Sequence, residues 1–453
     1  MKVDFKKLKK IHLIGIGGIG VSAVARILFK KGVQVSGSDL VSSKVTDGLS
    51  KLGMKVLIGP HRAKNVEKDV DLVAYTVAIP QDNPELVQAK KLKISILTYP
   101  QILGELTKDK FTIAVCGTHG KTTTTSLISL ILTMGGFDPT VVIGSNLKEF
   151  SGNARVGESK YFVIEADEYR KAFLNYSPNV IVLTSLEYEH PDCYKNLKEV
   201  KKAFGDFLRK LPPDGMVIAC FDDANVRDVI QNSALNSKII SYGFSADAEF
   251  KARNIKKENE KTTFEIIRND DLIGQFKIAI PGSHNILNAT AAIALALKLG
   301  VNIGAAKEAL AGFYGAWRRF EKKGEVKGVT IIDDYAHHPT EIKATLKAAH
   351  DKFENRKIIC IFQPHHYQRV KALFWDFVGA FNDADEIIIP DIYTVAGRED
   401  KQTENEVSSE NLVKEITKLG KNAKYIAKLA DVIEYLKEYV SKDDVVITMG
   451  EEM

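Results

Sequence analysis

The sequence predicts an α/β protein of three domains, and three observations lead to that prediction. Short β-branched runs alternate with longer segments of helical period along the chain, which is typical of parallel sheets covered by helices. Two glycine-rich turns, at residues 15–20 and 117–120, each lie between a predicted strand and a predicted helix. The chain has 453 residues, a length that suits about three domains. We expect domains at residues 1–110, 111–320 and 321–453.

The composition is that of an ordinary globular protein, with 45% hydrophobic and 27% charged residues. Because 63 Lys and Arg residues stand against 58 Asp and Glu residues, the net charge is only +5, and we expect no nucleic-acid partner. The four cysteines are not spaced as metal-binding or redox pairs, which indicates a reducing compartment. No run approaches the about 18 apolar residues of a membrane span, and no signal sequence is recognisable. We therefore expect a cytoplasmic protein without a membrane partner.

The first glycine-rich turn predicts a nucleotide site in the first domain. It follows a predicted strand at residues 11–14 and precedes a predicted helix at residues 21–31. Asp39 ends the next strand about 20 residues on, as in the dinucleotide-binding fingerprint. The glycines would admit the diphosphate of any nucleotide, and no hydride-transfer residues accompany them. A UDP-type ligand is therefore favoured over NAD, and a nicotinamide-dependent dehydrogenase is kept as an alternative.

The second glycine-rich turn predicts an ATP site. It follows a strand at residues 112–115 and opens a helix, which is the setting that a phosphate-binding loop requires. Its glycines and the helix N-terminus would turn N–H groups toward phosphate. Lys121 would reach the β- and γ-phosphates, and the Thr122 hydroxyl would bind Mg²⁺. The expected ATP contacts are Gly117, Thr118, His119, Gly120, Lys121, Thr122 and Thr123.

Acidic residues follow the next two predicted strands. Residues 165–168 read Glu-Ala-Asp-Glu after a strand at 161–164, and His190 lies in a polar segment after a strand at 180–183. Parallel sheets place ligands at the carboxyl ends of their strands, and Mg²⁺ prefers hard oxygen ligands. The acidic segment is therefore a candidate metal site, and His190 is a candidate for a second metal or a water. A solvated acidic loop is the alternative.

The rest of the second domain combines two patterns. Residues 248–281 alternate between apolar and polar positions, which predicts an antiparallel meander. Residues 284–299 are rich in alanine and leucine, which predicts a packed helix. The third domain contains further buried runs that predict strands, at residues 329–332, 357–362, 386–389 and 445–448.

Together these segments resemble the Mur ligases, ATP-dependent enzymes that form amide bonds in peptidoglycan precursor synthesis. The resemblance covers nearly the whole chain, and its most specific motif is Gly-Thr-His-Gly-Lys-Thr-Thr-Thr at residues 117–124. It implies Rossmann-like first and third domains around a central P-loop ATPase-like parallel sheet with added antiparallel strands. The other matching segments are residues 15–22, 82–85, 165–174, 282–289, 318–321, 333–341, 362–369, 391–393 and 398–399.

The resemblance implies ATP, UDP-N-acetylmuramate and L-alanine as substrates, with Mg²⁺ as the metal. It places Glu165 and His190 as metal ligands together with Thr122. Beyond the phosphate loop, the resemblance implies that Asn285 and Asn288 contact the adenine of ATP. It also implies that Arg319 clamps phosphate oxygens and that Asp334 contacts the ribose. The implied UDP-sugar contacts are Gly15, Gly17, Gly18, Gly20, Ser22 and Asp39.

The implied reaction passes through an acyl phosphate, which forms when the sugar carboxylate attacks the γ-phosphate. Lys121, Arg319 and Mg²⁺ would neutralise the transferring group. The amine of L-alanine must be neutral to attack, so a base is required, and His337 and His365 are both candidates. Arg369 is expected to hold the carboxylate of L-alanine.

Two other functions are compatible with the resemblance and remain open. A muropeptide ligase would join a recycled tripeptide to the same UDP-sugar, although residues 334–335 and 362–365 favour the branch that adds L-alanine. His366 departs from that branch, many members of which carry arginine there. A non-catalytic UDP-sugar-binding homologue is consistent with residues 451–453, which stand where the family usually has a glycine-rich stretch. The oligomeric state stays open.

Overall fold

The computed structural model describes residues 4–76, 78–258, 260–394 and 401–450. Its strands form three sheets that follow one another along the chain, so the predicted α/β class is confirmed. Alternate residues of the central strands pack into different apolar clusters, as Ile113 and Ala114 do. Both faces of each sheet are therefore covered, which explains why these strands are continuous apolar runs.

The first sheet is parallel and contains β1 (Lys10–Ile14), β2 (Gln34–Asp39), β3 (Lys55–Ile58), β4 (Leu72–Tyr75) and β5 (Ser95–Thr98). The strand order is β3-β2-β1-β4-β5. Its helices are α1 (Ile19–Lys30), α2 (Lys44–Lys51), α3 (Pro84–Lys91) and α4 (Tyr99–Thr107), with a 3₁₀ turn at Ala63–Asn65. Because α1 starts two residues earlier than predicted, Gly20 lies in its first turn.

The second sheet contains β6 (Phe111–Cys116), β7 (Thr140–Leu147), β8 (Gly152–Arg155), β9 (Tyr161–Glu165), β10 (Val180–Leu183), β11 (Met216–Cys220), β12 (Lys238–Gly243), β13 (Phe250–Glu258), β14 (Lys261–Arg268) and β15 (Asp271–Ile278). The order is β15-β14-β13-β12-β11-β10-β6-β9-β7-β8. The predicted meander is confirmed, because β13, β14 and β15 pair antiparallel at one edge.

The helices of this second region are α5 (Lys121–Met134), α6 (Leu197–Leu208), α7 (Ala224–Asn232), α8 (Ser283–Lys298) and α9 (Ile303–Gly312), with 3₁₀ segments at Lys148–Phe150 and Tyr169–Asn175. It packs tightly on the first region, with which it shares one apolar cluster. A Cβ on Gly104 of α4 would lie 2.4 Å from the Asn175 carbonyl oxygen, so a side chain there would separate the two regions.

The third sheet contains β16 (Glu321–Val326), β17 (Val329–Asp334), β18 (Ile358–Phe362), β19 (Glu386–Ile389), β20 (Ala423–Tyr425) and β21 (Val445–Met449). The order is β16-β17-β21-β18-β19-β20, and only β16 pairs antiparallel to its neighbour among the described strands. Its helices are α10 (Pro339–Lys352), α11 (Tyr367–Ala372), α12 (Phe374–Val378), α13 (Lys401–Glu404), α14 (Ser409–Lys418) and α15 (Leu429–Tyr439). These three sheets are the basis on which we propose the domain ranges 1–110, 111–320 and 321–453.

Within the described part of the chain, no helix has the length and hydropathy to cross a membrane.

The register of the second sheet gathers the predicted catalytic segments at one edge. Val115 of β6 lies opposite Glu165 of β9, and Cys116 lies opposite Leu183 of β10. The three strands therefore end together, and the loops that follow them meet. This is the edge at which parallel α/β sheets bind ligands.

A buried carboxylate organises the interior of the first region. Glu85, from the segment 82–85, accepts hydrogen bonds from Ser38 Oγ and Asn65 Nδ2 at 2.6 Å each. Its carboxylate oxygens also lie 3.1 Å from His12 Nε2 and 3.2 Å from His61 Nδ1. Burial alone would raise the pKa of Glu85, but the hydrogen bonds from His12, Ser38 and Asn65 outweigh it and lower the pKa to about 2.

We expect Glu85→Gln to destabilise the protein at neutral pH, and the difference from wild type to shrink in acid. The charge of Glu85 stabilises the folded state fully above its unfolded pKa of about 4.3. This contribution, about 3 kcal/mol, is lost as the pH falls from about 4 through about 2. Urea unfolding midpoints at pH 7, 5 and 3 test it. A difference between variant and wild type that is independent of pH would contradict the assignment.

Candidate active site

Two neighbouring cavities lie at the carboxyl edge of the second sheet. The larger, of about 460 Å³, is lined from all three regions: by Gly20 of the first, Lys121 and Glu165 of the second, and His337 and Arg369 of the third. The smaller cavity, of about 170 Å³, lies between α8 and the third region. Both cavities share part of their walls, namely His119, Gly120, Thr122, Arg319 and Glu341.

The phosphate loop has the strand–turn–helix form that its sequence predicts. Gly120 has a φ of 79° and precedes α5 directly, so its conformation is the left-handed one that glycine adopts without strain. The N–H groups of Thr118 and His119 donate to Ser185, at 2.9 Å each. The hydroxyl of Thr118 exchanges hydrogen bonds with the Glu187 backbone. Thr118 thus fixes the loop, and the first turn of α5 offers the N–H groups that have no partner within the helix.

Lys121 is held in the loop by an acidic residue. Its Nζ lies 2.9 Å from both carboxylate oxygens of Glu168 and donates to the Gly117 carbonyl at 2.6 Å. Burial alone would lower the pKa of Lys121, but the charges of Glu168 and Asp167 outweigh it and hold the pKa above its usual range. Lys121 is therefore cationic at neutral pH. The sequence placed Glu168 in the acidic segment but did not predict its pairing with Lys121.

Two predicted metal ligands meet in the wall of the larger cavity. Thr122 Oγ1 donates to Glu165 Oε1 at 2.8 Å, and Gly144 N donates to Glu165 Oε2 at 2.6 Å. Burial raises the pKa of Glu165, so a cation at this point would stabilise its charged form. A hydroxyl beside a carboxylate is a donor set of hard oxygens, and it fits Mg²⁺.

His190 lies in a second group of possible metal ligands, together with two acidic residues. Its Nε2 lies 3.7 Å from Glu168 Oε1, and ligand atoms of Asp167, Glu168 and His190 lie within 4.8 Å of one another. Burial would lower the pKa of His190, but the hydrogen bond and charge of Glu168 outweigh it and raise the pKa. His190 and Glu165 line the same cavity, and the structure pairs His190 with Glu168.

The smaller cavity contains the residues expected at the adenosine. Asn288 accepts a hydrogen bond from Thr124 Oγ1 at 3.1 Å and donates to Asn285 Oδ1 at 3.2 Å. Asn285 in turn donates to the Pro281 carbonyl at 2.6 Å. Asn288 thus connects α8 with the helix of the phosphate loop, and Asn285 holds Asn288 in place. The adenine contacts of both residues stay a prediction. Asp334 lines this cavity, and burial raises its pKa to about 6.

The third region brings two of its predicted residues to the larger cavity. His337 lines it, with Nδ1 3.0 Å from the Tyr335 carbonyl oxygen. Arg369 also lines the larger cavity, and its Nε donates to Glu189 Oε1 at 2.9 Å. The side chains of both partners are only 5% exposed. His365 is 3% exposed, is stacked on Tyr393 at 5.4 Å and does not line the cavity.

The first glycine-rich turn has the predicted form, but its residues differ in accessibility. Gly17 N donates to the Asp39 carboxylate at 2.8 Å, which holds the turn against the end of β2. Gly20 lines the larger cavity, and a Cβ on it would lie 2.4 Å from the Tyr99 ring. Ser22 is fully buried, donates to the Ile19 carbonyl and accepts from Asn153 of the second region. The hydroxyl of Ser22 is therefore a structural link and not part of the cavity wall.

We expect Gly120→Ala to weaken nucleotide binding. A Cβ there would lie 2.5 Å from Asn288 Oδ1, and the φ of 79° is strained for alanine, so the loop or the Asn288 side chain must shift. A shift that loses one phosphate hydrogen bond, about 1.5 kcal/mol, weakens binding about tenfold. Calorimetry with ADP measures the change. Gly136→Ala is a matched control, because Gly136 has the same φ of 79° and an added Cβ would meet nothing within 4 Å. Equal losses in both variants would contradict the prediction.

The fold and the site define a phosphate-loop protein with three α/β regions around one cavity. Family models match nearly all of it: residues 10–111 match the Mur ligase family catalytic domain. Residues 115–296 match the Mur ligase middle domain, and residues 318–452 match the Mur ligase glutamate ligase domain. The chain belongs to the Mur ligase family.

Individual relatives cover almost the whole chain. A protein of Caldanaerobacter subterraneus subsp. tengcongensis named UDP-N-acetylmuramate–L-alanine ligase is 46% identical over 452 residues, which are 99% of this chain and 96% of the relative. The crystal structure of the UDP-N-acetylmuramate-alanine ligase of Thermotoga maritima is 31% identical, with a TM-score of 0.81 over 98% of this chain and 96% of that one. A murein peptide ligase of Psychrobacter arcticus, 24% identical with a TM-score of 0.73 over 98% and 96% of the two chains, shares the fold.

Some expectations fall on residues outside the described ranges. The matching pair at residues 398–399 and the terminal residues 451–453 are among them. The departure at His366 is described: His366 has a φ of 66° and lines the larger cavity.

Proposed function

We propose that the chain is an ATP-dependent ligase that joins the carboxylate of UDP-N-acetylmuramate to the amine of L-alanine. The observation that carries this proposal is a single cavity to which three sheets contribute the turn at Gly20, the phosphate loop at Lys121, and a third wall with His337 and Arg369. A carboxylate and an amine do not condense unaided, because hydroxide is a poor leaving group. The arrangement brings an activating nucleotide and both reactants together. The relative that is 46% identical over 99% of this chain and is named UDP-N-acetylmuramate–L-alanine ligase supports this choice of substrates.

Activation of the carboxylate requires charge neutralisation at the γ-phosphate. Lys121 carries its positive charge beside Glu168, so the phosphates of ATP would compete with that carboxylate for the ammonium group. Arg319 lines both cavities and would hold phosphate oxygens with its planar fork. Thr122 and Glu165, with Asp167, Glu168 and His190 nearby, would hold Mg²⁺. Mg²⁺ supplies charge stabilisation and orientation of the phosphates when bound.

The second step requires a base for the amine, and we propose His337. Its Nδ1 lies 3.0 Å from the Tyr335 carbonyl oxygen and 3.4 Å from Glu341 Oε2, and because both oxygens accept, Nδ1 would keep its proton when the ring is neutral. Nε2 would then be the nitrogen that takes the proton of the amine. His365, the other candidate, is not part of the wall of this cavity.

Arg369 is the proposed contact for the carboxylate of L-alanine. Its pairing with Glu189 fixes the guanidinium from the second region, although Arg369 belongs to the third. We propose that UDP-N-acetylmuramate enters from the first region, with its diphosphate at the turn 15–20. The cavity would then hold ATP, the sugar carboxylate and the amino acid at one point. Its enclosure by three regions would exclude water from the acyl phosphate.

Trapping of the acyl phosphate and of the amide tests this proposal. Purified protein with ATP, Mg²⁺ and UDP-N-acetylmuramate should give a hydroxamate when hydroxylamine replaces L-alanine. With L-alanine, mass spectrometry should find the UDP-N-acetylmuramoyl amide and one phosphate per amide. A protein that binds both nucleotides but forms neither product is a UDP-sugar-binding homologue, and the proposal would be wrong.

A further inference from the structure

Glu341 lies between the two cavities and contacts groups from both sides. It stands in the first turn of α10, and its side chain is 13% exposed. Its Oε1 lies 3.1 Å from His119 Nδ1 of the phosphate loop and 3.9 Å from Arg319 Nη1. Its Oε2 accepts from His337 N at 3.1 Å and lies 3.4 Å from His337 Nδ1. One carboxylate thus touches the phosphate loop, the phosphate clamp and the proposed base.

His119 is held from its other side as well. Its Nε2 lies 3.4 Å from Glu187 Oε2, and Glu187 accepts from Thr340 Oγ1 at 2.7 Å. Glu187 belongs to the second region, whereas Thr340 and Glu341 belong to α10 of the third. His119–Glu341 therefore joins the phosphate loop directly to α10, and Glu187–Thr340 joins α10 to a residue that also contacts His119.

The charges of this junction are consistent with an ionic contact. Burial would lower the pKa of His119, but hydrogen bonds to Glu187 and Glu341 outweigh it and raise the pKa to about 9. Burial would raise the pKa of Glu341, but His337 in its protonated form, the hydrogen bond and charge of His119, and the charge of Arg319 outweigh it and hold the pKa well below its usual range. His284, Asp334 and His338 also face this group. At neutral pH a cationic imidazole thus lies against a carboxylate.

We propose that Glu341 is a positioning residue, which docks α10 on the phosphate loop through His119 and so sets Arg319 and His337 at the reacting atoms. This inference rests on the proposed function. Glu341 would touch no substrate, and it would act through the three groups it contacts. Because misplacement by about 1 Å can cost about a hundredfold in rate, a single shared carboxylate is sufficient to control both steps.

Glu341→Gln tests the charge without removing the side chain. Glutamine also completes a capping box at this helix position, so α10 should still form. We expect kcat to fall about a hundredfold, with KM for ATP and UDP-N-acetylmuramate changed less than threefold, and Glu341→Asp to recover part of the rate. Glu325→Gln is the matched control, because Glu325 is exposed in β16, an edge strand of the third sheet, and its carboxylate lies 3.7 Å from Lys322 Nζ. An unchanged kcat in Glu341→Gln, or an equal loss in the control, would overturn the proposal.

A double-variant cycle that combines Glu341→Gln with His119→Gln tests whether Glu341 acts through His119. If Glu341 acts through His119, the double variant should be no slower than the slower single variant, whereas independent roles would multiply the two losses. Hydrogen exchange of residues 339–352 with a bound ATP analogue provides a readout without turnover. Faster exchange there in Glu341→Gln supports docking, and unchanged exchange overturns it. A wild-type protein that forms no amide would instead refute the proposed function, while the exchange result would still decide the role of Glu341.

Discussion

Lys121→Ala is expected to reduce phosphate release by about a thousandfold or more, because the cation that stabilises the transferring phosphoryl group is lost. The same change leaves the carboxylate of Glu168, whose side chain is 2% exposed, without its ammonium partner. Breaking a buried pair from one side costs about 3–5 kcal/mol, so a fall in thermal stability should accompany the loss of activity. Phosphate release under saturating substrates and a thermal melt measure the two effects.

A paired variant separates chemistry from stability at this position. Lys121→Met combined with Glu168→Gln removes both charges, and the free energy of unfolding should return toward that of wild type. Phosphate release should stay low, because no cation replaces Lys121. If the paired variant recovered turnover together with stability, Lys121 would be a structural residue only. Wild-type turnover in Lys121→Ala would contradict the phosphate-loop assignment outright.

Glu165→Gln should cause the second large effect, a loss of about a hundredfold in kcat together with a higher Mg²⁺ requirement. The amide can still accept from Gly144 N and donate to the Thr122 hydroxyl, so the loop should keep its shape. Only the negative charge for the metal is removed. Initial rates across a Mg²⁺ titration measure both changes.

Glu149→Gln is the control for this experiment, because Glu149 is exposed on the same region of the chain. It should show the Mg²⁺ dependence of wild type. A Glu165→Gln variant with a lower kcat but an unchanged Mg²⁺ midpoint would show that Glu165 shapes the loop without holding metal. The proposed metal site would then have to be sought at Asp167, Glu168 and His190.

The sequence was sufficient to predict features that depend on local order. The phosphate loop combines a strand, two glycines, a lysine and a helix within a few residues, and each part has a physical reason to be there. The same holds for the first turn and for the antiparallel edge at β13–β15, where the polarity pattern changes. Parallel-sheet geometry then explains why Glu165 lies beside Thr122, since β6 and β9 are neighbours.

Features that depend on contacts between distant segments could not be predicted in this way. Arg369 and Glu189 are 180 residues apart, and nothing in either segment indicates that they pair. Ser22 follows the glycine-rich turn as a ligand-binding residue would, yet its hydroxyl points into the contact with Asn153. Glu341 ends the segment 333–341 that resembles the Mur ligases, but the role we propose for it depends on the docking of the third region on the phosphate loop. Such partners follow from tertiary packing, which local patterns do not encode.

Phosphate release with ATP, Mg²⁺ and UDP-N-acetylmuramate, measured with L-alanine and separately with L-Ala-γ-D-Glu-diaminopimelate, shows which amine the protein uses. We expect L-alanine, and not the tripeptide, to stimulate release, with one amide formed per phosphate. Stimulation by the tripeptide alone would refute the proposed function and assign the protein to muropeptide recycling.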